Sequence, residues 1–328
     1  MCMNDDLVDI LLATYNSNEN FLREQIDSLL CQTHKNIKIH ISDDASTENN
    51  VGQVLKEYKE KDERIIVYEQ EKNIGFNSNF EFLLKQSTAD YIMFCDHDDI
   101  WHNDKVEKSL KKIKETSCSL VYANCRQVDE NGKLICSDYF KHKNIPLIRG
   151  TSKLAISRYA GIGCSQIITK EVKEKMIPFK PKVIAHDWLA GFIANELNGI
   201  DYIYDELFDY RLHTSNVFGG RNLNQNLARW KEKYGNNYET FKKYRKWAIE
   251  NCYLDAAKMC FDYAENEEDK LFCKQLITYY ENIAKTKIIN IHLLKYFKLL
   301  GGKNLTKKIC KEIVLFHFPV LAYLRFKR

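Results

Sequence analysis

Short apolar runs and helical patterns alternate from the start of the chain. "LVDILLAT" (7–14) is a β-rich run closed by the polar "YNSNEN". "FLREQIDSLLCQ" follows, with Phe21, Leu22, Ile26, Leu29 and Leu30 at helical spacing. "IKIHIS" (37–42) alternates and stops at "DDAST". "VGQVLKEYKEK" then reads as a helix, "RIIVYEQ" as a strand, "NFEFLLKQS" as a helix and "DYIMFCD" as a strand. Four strands separated by helices predict an α/β domain of βα units around a mostly parallel central sheet. Such sheets take ligands beyond the carboxyl ends of their strands. The polar tails "TYN", "DDAST" and "DHDD" fall at those ends, so they are expected to converge in one crevice.

After Trp101 the pattern predicts a helix ("KVEKSLKKIKE"), a strand running into a turn at Asn131-Gly132, a further strand ("GIGCSQIITKEV") and a helix ("DWLAGFIANELNG"). "GIDYIYDELFDYRLH" brings the chain back as strands, and from about Asn222 long Lys-, Tyr- and Glu-rich helical patterns take over. The expected organisation is a domain over 1–220 followed by a helical C-terminal region over 221–328.

Composition narrows the class. With 328 residues, 45% apolar and 29% charged, the chain is an ordinary globular protein, and its net charge of +4 is too small to indicate nucleic acid. Eleven cysteines are scattered without CxxC pairs, which reads as reduced thiols in a cytoplasmic protein rather than a zinc or disulfide framework. Asp5, Asp6 and Asp9 interrupt any leader-like apolar core, and no run reaches the roughly 18 apolar residues a membrane span needs.

The candidate chemistry lies at the strand ends. Asp96 and Asp98 in "DHDD" offer hard carboxylate oxygens of the kind that suit Mg²⁺ or Mn²⁺ beside substrate phosphates. Asp99 is expected to point away, bracing the loop or capping a helix near Asn103 or Asp104. The competing reading is a solvated acidic turn. In "ISDDAST", Asp43 or Asp44 has the chemistry to accept the imide N–H of a uracil or thymine ring, with Thr14 and Tyr15 closing the pocket; helix capping by Asp44 or Ser46 is the alternative. In "EKNIGFNSNFEFL", Gly75 permits close backbone approach, Asn77 or Ser78 suits a helix cap, and Lys72 suits a phosphate.

"VDILLATYNSNENFLREQIDSLLCQT", "ISDDAST", "KNIGFNSNFEFLL" and "DYIMFCDHDDIW", in this order and spacing, resemble family 2 of the inverting glycosyltransferases over roughly residues 7–220. The resemblance implies a GT-A fold that binds a nucleoside-diphosphate sugar, with a metal-binding DxD motif. The subgroup it is most similar to is the bacterial rhamnosyltransferase type, where D-Q-D-D-I-W is usual and His97 here replaces the Gln. On this resemblance Asn16, Asn79 and His97 join Thr14, Tyr15, Asp43, Asp44, Lys72 and Gly75 on the nucleotide side. "VIAHDWLAGFIA" places the catalytic base at Asp187, with helix N-capping as the alternative role. His186 and Trp188 then line the sugar pocket. "DYRLHTSNVFG" makes His213 a third metal ligand or a diphosphate contact, with Arg211 as a charge partner. "GIGCSQIIT" puts Cys164, with Gly161 and Gly163, beside the donor sugar.

The implied reaction moves a sugar from dTDP-rhamnose or a UDP-hexose to a lipid-linked saccharide of a surface polysaccharide, with Mn²⁺ or Mg²⁺. A catalytically silent sugar-nucleotide binding subunit is the competing reading. The last 40 residues interleave Lys and Arg with Leu, Ile, Phe and Tyr, which suits either the cytoplasmic face of a membrane or packing against the domain or a second subunit.

Overall fold

The structure is a computed structural model, and it describes residues 6–48, 50–143, 145, 147–157, 161–213 and 230–285. These fall into two compact units. One runs to Ser152 and resumes over 161–213; the other joins Lys153–Ser157 to residues 230–285. The expected boundary near residue 220 and the basic tail lie outside the described residues.

The first unit opens with strands β1 (Val8–Thr14), β2 (Ile37–Asp43), β3 (Ile65–Glu69) and β4 (Tyr91–Cys95), linked by helices α1 (Glu19–Leu30), α2 (Val51–Lys61) and α3 (Phe76–Gln86). All four strands are parallel, in the order β3-β2-β1-β4. The central pair is covered on both faces, which is why it reads as a nearly continuous apolar run. Val8, Ile10, Leu11, Leu12, Ile92 and Phe94 are wholly buried, each contributing roughly 1.5–3 kcal/mol. Helix α1 starts where the Asn18 side chain accepts from the N–H groups of Asn20 and Phe21, and it buries Leu22, Ile26 and Leu29.

β1 lies between β2 and β4, so the strand order reverses there and a crevice opens at the carboxyl ends. Register brings Thr14 opposite Asp43 and Leu12 opposite Cys95. The three polar strand tails therefore do meet along one edge.

Past β4 the sheet becomes mixed. It continues through β5 (Ile100–Trp101), β6 (Leu120–Asp129), β7 (Leu134–Cys136), β8 (Gln166–Thr169) and β9 (Ile200–Leu212), with α4 (Lys105–Thr116), α5 (Tyr139–Lys143), α7 (Lys170–Met176) and α8 (His186–Glu196) packed around it. The remaining short helix, α6 (Lys153–Ser157), belongs to the second unit.

Two antiparallel pairings position the site. β8 inserts between β4 and β6 with Met93 opposite Ile167, so the 3-10 turn Gly163–Ser165 before it comes up beside the end of β4. β5 pairs with β9, Ile100 opposite Asp209, and this register carries Arg211 and His213 back to Asp98 and Asp99. The described cysteines are free thiols.

In the second unit, α9 (Tyr238–Ala248) passes through a π-helical stretch (Ile249–Leu254) into α10 (Asp255–Tyr263), and α11 (Glu267–Lys285) packs on them. Tyr244, Phe241, Tyr279 and Tyr280 fill its core. The Arg245 guanidinium donates to the Ile283 carbonyl at 3.0 Å, and Lys153 of α6 pairs with Asp269 and Glu268. No helix among the described residues is long and apolar enough to cross a membrane.

Candidate active site

The residues expected on the nucleotide side divide into those that face outward and those already engaged by the protein. Thr14 shares a 2.5 Å hydrogen bond with Ser17, the Tyr15 ring is exposed, and Lys72 is exposed. Asp43 accepts from the Ser46 hydroxyl at 2.5 Å, and burial pushes its carboxyl above the usual range. A cavity of about 710 Å³ opens on its flank, lined by Ser46, Lys56, Glu69 and Gln70 among others, but not by Asp96, Asp98 or Asp187.

Four other expected contacts are built into the scaffold. Both Asp44 oxygens accept backbone N–H groups, from Ile74 at 2.7 Å and Gly75 at 2.9 Å, so this carboxylate braces the approach to α3 and does not cap α2. Gly75 itself is the N-cap residue of α3, at φ 83°, a conformation that suits glycine. Asn79 is buried and donates to the Ser42 carbonyl. Asn16 accepts from the N–H groups of Thr47 and Glu48, fastening the loop after β2.

The acidic strand end sorts into two groups. Asp98 pairs with His213, whose Nε2 lies 2.6 Å from Oδ2. Asp96 instead clusters with Asp99 and Cys164, their donor atoms all within 4.8 Å of one another. The expectation that Asp99 points away is corrected: it is fully buried, and α4 begins after Asp104 without any side-chain cap. Asp99 does brace the loop, since Oδ1 accepts the Arg211 N–H at 3.1 Å. Arg211 is a charge partner within the scaffold. Its guanidinium donates to the carbonyls of Asp98 and Glu130, pairs with Glu24 and lies over the Phe21 ring.

Burial, then the Asp98 charge, raises the Asp96 carboxyl to about 6, and burial holds Asp99 well above its ordinary value. Burial acts on Asp98 too, but His97 and His213 outweigh it and keep that carboxyl low. Asp99 Oδ2 and His97 Nδ1 are buried without hydrogen-bond partners. The carboxylate oxygens of Asp96 and Asp98 are hard donors of the kind Mn²⁺ or Mg²⁺ takes, whereas the Cys164 sulfur beside Asp96 and Asp99 is a soft donor that suits neither ion.

Asp187 stands in the first turn of α8. Ala185 holds the N-cap position, and the Asp187 side chain serves the helix end from the first turn, its Oδ1 accepting the Trp188 N–H at 2.8 Å. Burial raises its carboxyl to about 6, the Asp96 charge adds to that rise, and the Gly163 N–H opposes it. His186 packs between Phe80 and Phe94, ring centroids 3.9 and 4.7 Å away. Burial pulls its pKa down to about 3, so the imidazole is neutral, and neither ring nitrogen has a hydrogen-bond partner. Trp188 beside it is half-buried.

Asn77, read from the sequence as a helix cap, has another task. Its Nδ2 donates to the Val183 carbonyl and its Oδ1 accepts the His186 N–H, tying α3 to the start of α8. A polar residue in a first helical turn gives no sign of such a partner. One turn links the two acidic groups: Gly163 touches Asp187 while Cys164 joins Asp96 and Asp99.

The sequence profile described as glycosyl transferase family 2 matches residues 9–177. The uncharacterized glycosyltransferase MJ1057 of Methanocaldococcus jannaschii is 27% identical over 245 residues, covering 70% of this chain and 82% of its own. The dTDP-rhamnosyl transferase RfbG of Shigella flexneri is 30% identical, covering 63% of this chain and 73% of its own. Several other curated relatives are much longer, and the chain spans only 18–26% of their length.

Among solved structures, S. aureus TarS 1-349 in complex with UDP-GlcNAc has a TM-score of 0.54 at 15% identity, over 98% of this chain and 89% of that one. The mannosyltransferase PcManGT from Pyrobaculum calidifontis, in complex with GDP-Man and Mn²⁺, has a TM-score of 0.52 at 14% identity, over 98% and 85%. Parallel strands that end in a shared acidic crevice, and a profile match across more than half the chain, agree: the chain belongs to glycosyl transferase family 2 and is a glycosyltransferase of the GT-A fold.

Proposed function

We propose that the protein moves a sugar, with inversion, from a pyrimidine nucleoside-diphosphate sugar to a hydroxyl of a lipid-linked saccharide during assembly of a surface polysaccharide. The observation that carries this reading is the Gly163–Ser165 turn, which adjoins both the Asp187 carboxylate and the Asp96–Asp99 cluster. A base and a diphosphate site on the two sides of one turn are what a single displacement needs.

In this reading the Asp43 carboxylate accepts the imide N–H of the base, and Tyr15 and Lys72 flank the nucleotide. Asp187 takes the proton of the acceptor hydroxyl as its oxygen bonds to the anomeric carbon. The bond from that carbon to the diphosphate breaks on the opposite face, so no covalent enzyme intermediate forms. A divalent cation held by Asp96 and Asp98, with His213 as third ligand or diphosphate contact, would offset the charge that grows on the departing diphosphate. Neutral His186, with Trp188 and Cys164, would line the sugar.

The donor reading, dTDP-rhamnose or a UDP-hexose, draws on the similarity to the dTDP-rhamnosyl transferase RfbG and to the UDP-GlcNAc complex of TarS. The basic, apolar sequence beyond residue 285 suits contact with the cytoplasmic face of a membrane, where a lipid-linked acceptor would reside. The test is a thermal-shift panel of UDP-glucose, UDP-GlcNAc, dTDP-rhamnose and GDP-mannose with and without Mn²⁺, followed by assay of nucleotide release. A Mn²⁺-dependent rise with a pyrimidine donor is expected. No shift with any of the four would refute the reading.

A further inference from the structure

Lys105, the first residue of α4, is fully buried, an uncommon place for an ammonium group. Its Nζ donates to the Cys164 carbonyl at 2.5 Å and sits over two ring faces, 3.5 Å from the centroid of Trp101 and 4.0 Å from that of Phe208. Burial lowers its pKa to about 8, so it remains mostly charged at neutral pH, with Asp99 among the acids that oppose the fall. Two aromatic faces and one carbonyl are a modest replacement for water, and an apolar side chain of the same length would cost the fold less. The retained charge therefore points to a task other than stability.

The surroundings indicate which task. Lys105 stands on a rigid base: the Val106 N–H donates to Gln32 Oε1, and the Trp101 N–H donates to Ser28 Oγ. On its far side the Gly163–Ser165 turn is closed by the Ser165 N–H and hydroxyl, both donating to the Ile162 carbonyl. That turn has no room to spare against α8. A Cβ at Gly163 would lie 2.9 Å from His186 Nε2 and 3.4 Å from Asp187 Cβ.

We propose that Lys105 is a positioning residue for the reaction: its ammonium group holds the Cys164 carbonyl and, through the Gly163–Ser165 turn, sets where the Asp187 carboxylate stands. It touches neither substrate nor reacting atoms. The inference rests on the reading of Asp187 as the base, and it adds a residue that the strand-end motifs do not include.

The test begins with the wild-type chain and the release of nucleoside diphosphate from UDP-glucose, UDP-GlcNAc and dTDP-rhamnose in Mn²⁺. A wild type that neither binds nor turns over any of them overturns the reading of the site and this inference with it. With an active wild type, Lys105→Met should lower kcat by about ten- to a hundredfold, the scale of a small misplacement of a reacting group. Donor KM should stay within about twofold and thermal stability should be equal or higher. Lys105→Arg, which keeps a charged donor, should recover much of the loss.

A folded Lys105→Met with kcat within about twofold of wild type overturns the proposal, because a core-filling lysine predicts that result. Gly163→Ala supplies the second arm, since it displaces the same turn from its other end. It should show a comparable fall in kcat, and full turnover in this variant overturns the proposal even if Lys105→Met fails to fold.

Discussion

His213 and Asp98 are 115 residues apart in the chain, yet their side chains meet at 2.6 Å. The antiparallel pairing of β5 with β9 makes the meeting, and it joins the end of the first unit to its acidic turn. The histidine helps hold the Asp98 carboxyl in its charged form, the form a cation would require.

Asp98→Asn removes that charge without changing shape. Mn²⁺-dependent stabilisation by the nucleotide donor is expected to disappear and turnover to fall below detection. His213→Ala should weaken the Mn²⁺ response less severely. Thermal shifts at graded Mn²⁺ distinguish the two, and an unaltered Mn²⁺ response in Asp98→Asn would show that the ion binds elsewhere.

Asp187→Asn should keep donor affinity and lose turnover by about 10²–10⁴-fold, the usual worth of a positioned general base. Isothermal titration with the donor, set beside initial rates, separates binding from chemistry. A variant that retains even a third of the wild-type rate excludes Asp187 as the base.

The pH profile follows from the same carboxyl. Burial raises Asp187 to about 6, and a base must be deprotonated to act, so kcat should be full above that pH and fall as pH drops through it. A profile flat from pH 8 down to 5 would count against Asp187. For stability the sign runs the other way. A carboxyl that prefers to be neutral in the fold destabilises the protein at neutral pH, so Asp187→Asn should melt no lower than wild type at pH 7.5.

Asp9 makes a separate prediction away from the site. Its buried carboxylate accepts from the Ser87 hydroxyl and from the N–H groups of Thr88 and Ala89, and it lies 3.3 Å from His40 Nε2. Burial pushes its pKa up, but His40, Ser87 and Ala89 together hold it below the ordinary value. A depressed carboxyl contributes stability that is complete above its unfolded pKa and is lost as pH falls through the folded one. Asp9→Ala should therefore cost about 2–4 kcal/mol at pH 7 and less at pH 3, as measured by urea unfolding. Equal losses at both pH values would refute the ionic account.

The parallel half of the sheet was plain in the sequence because Val8–Leu12 and Ile92–Cys95 are buried on both faces, which leaves long apolar runs between polar tails. The reversal at β8 was not. Gln166–Thr169 is four residues without period, and its direction is set by pairing with β4 and β6 rather than by anything local. The same gap hid the role of Asp99. Three aspartates in four positions mark an acidic site, but only the β5–β9 register decides which of them turns inward toward Arg211. Lys105 was hidden in another way. Within "KVEKSLKKIKE" it reads as one more solvated lysine, and its burial depends on Trp101 and Phe208 arriving from two different strands.

The Asn77 bridge bears on how the enzyme would handle two substrates. Because one amide grips both Val183 and His186, the helix behind the nucleotide crevice cannot shift without pulling on the helix that carries Asp187. In the proposed reaction the donor side and the Asp187 side would therefore be joined mechanically through one side chain.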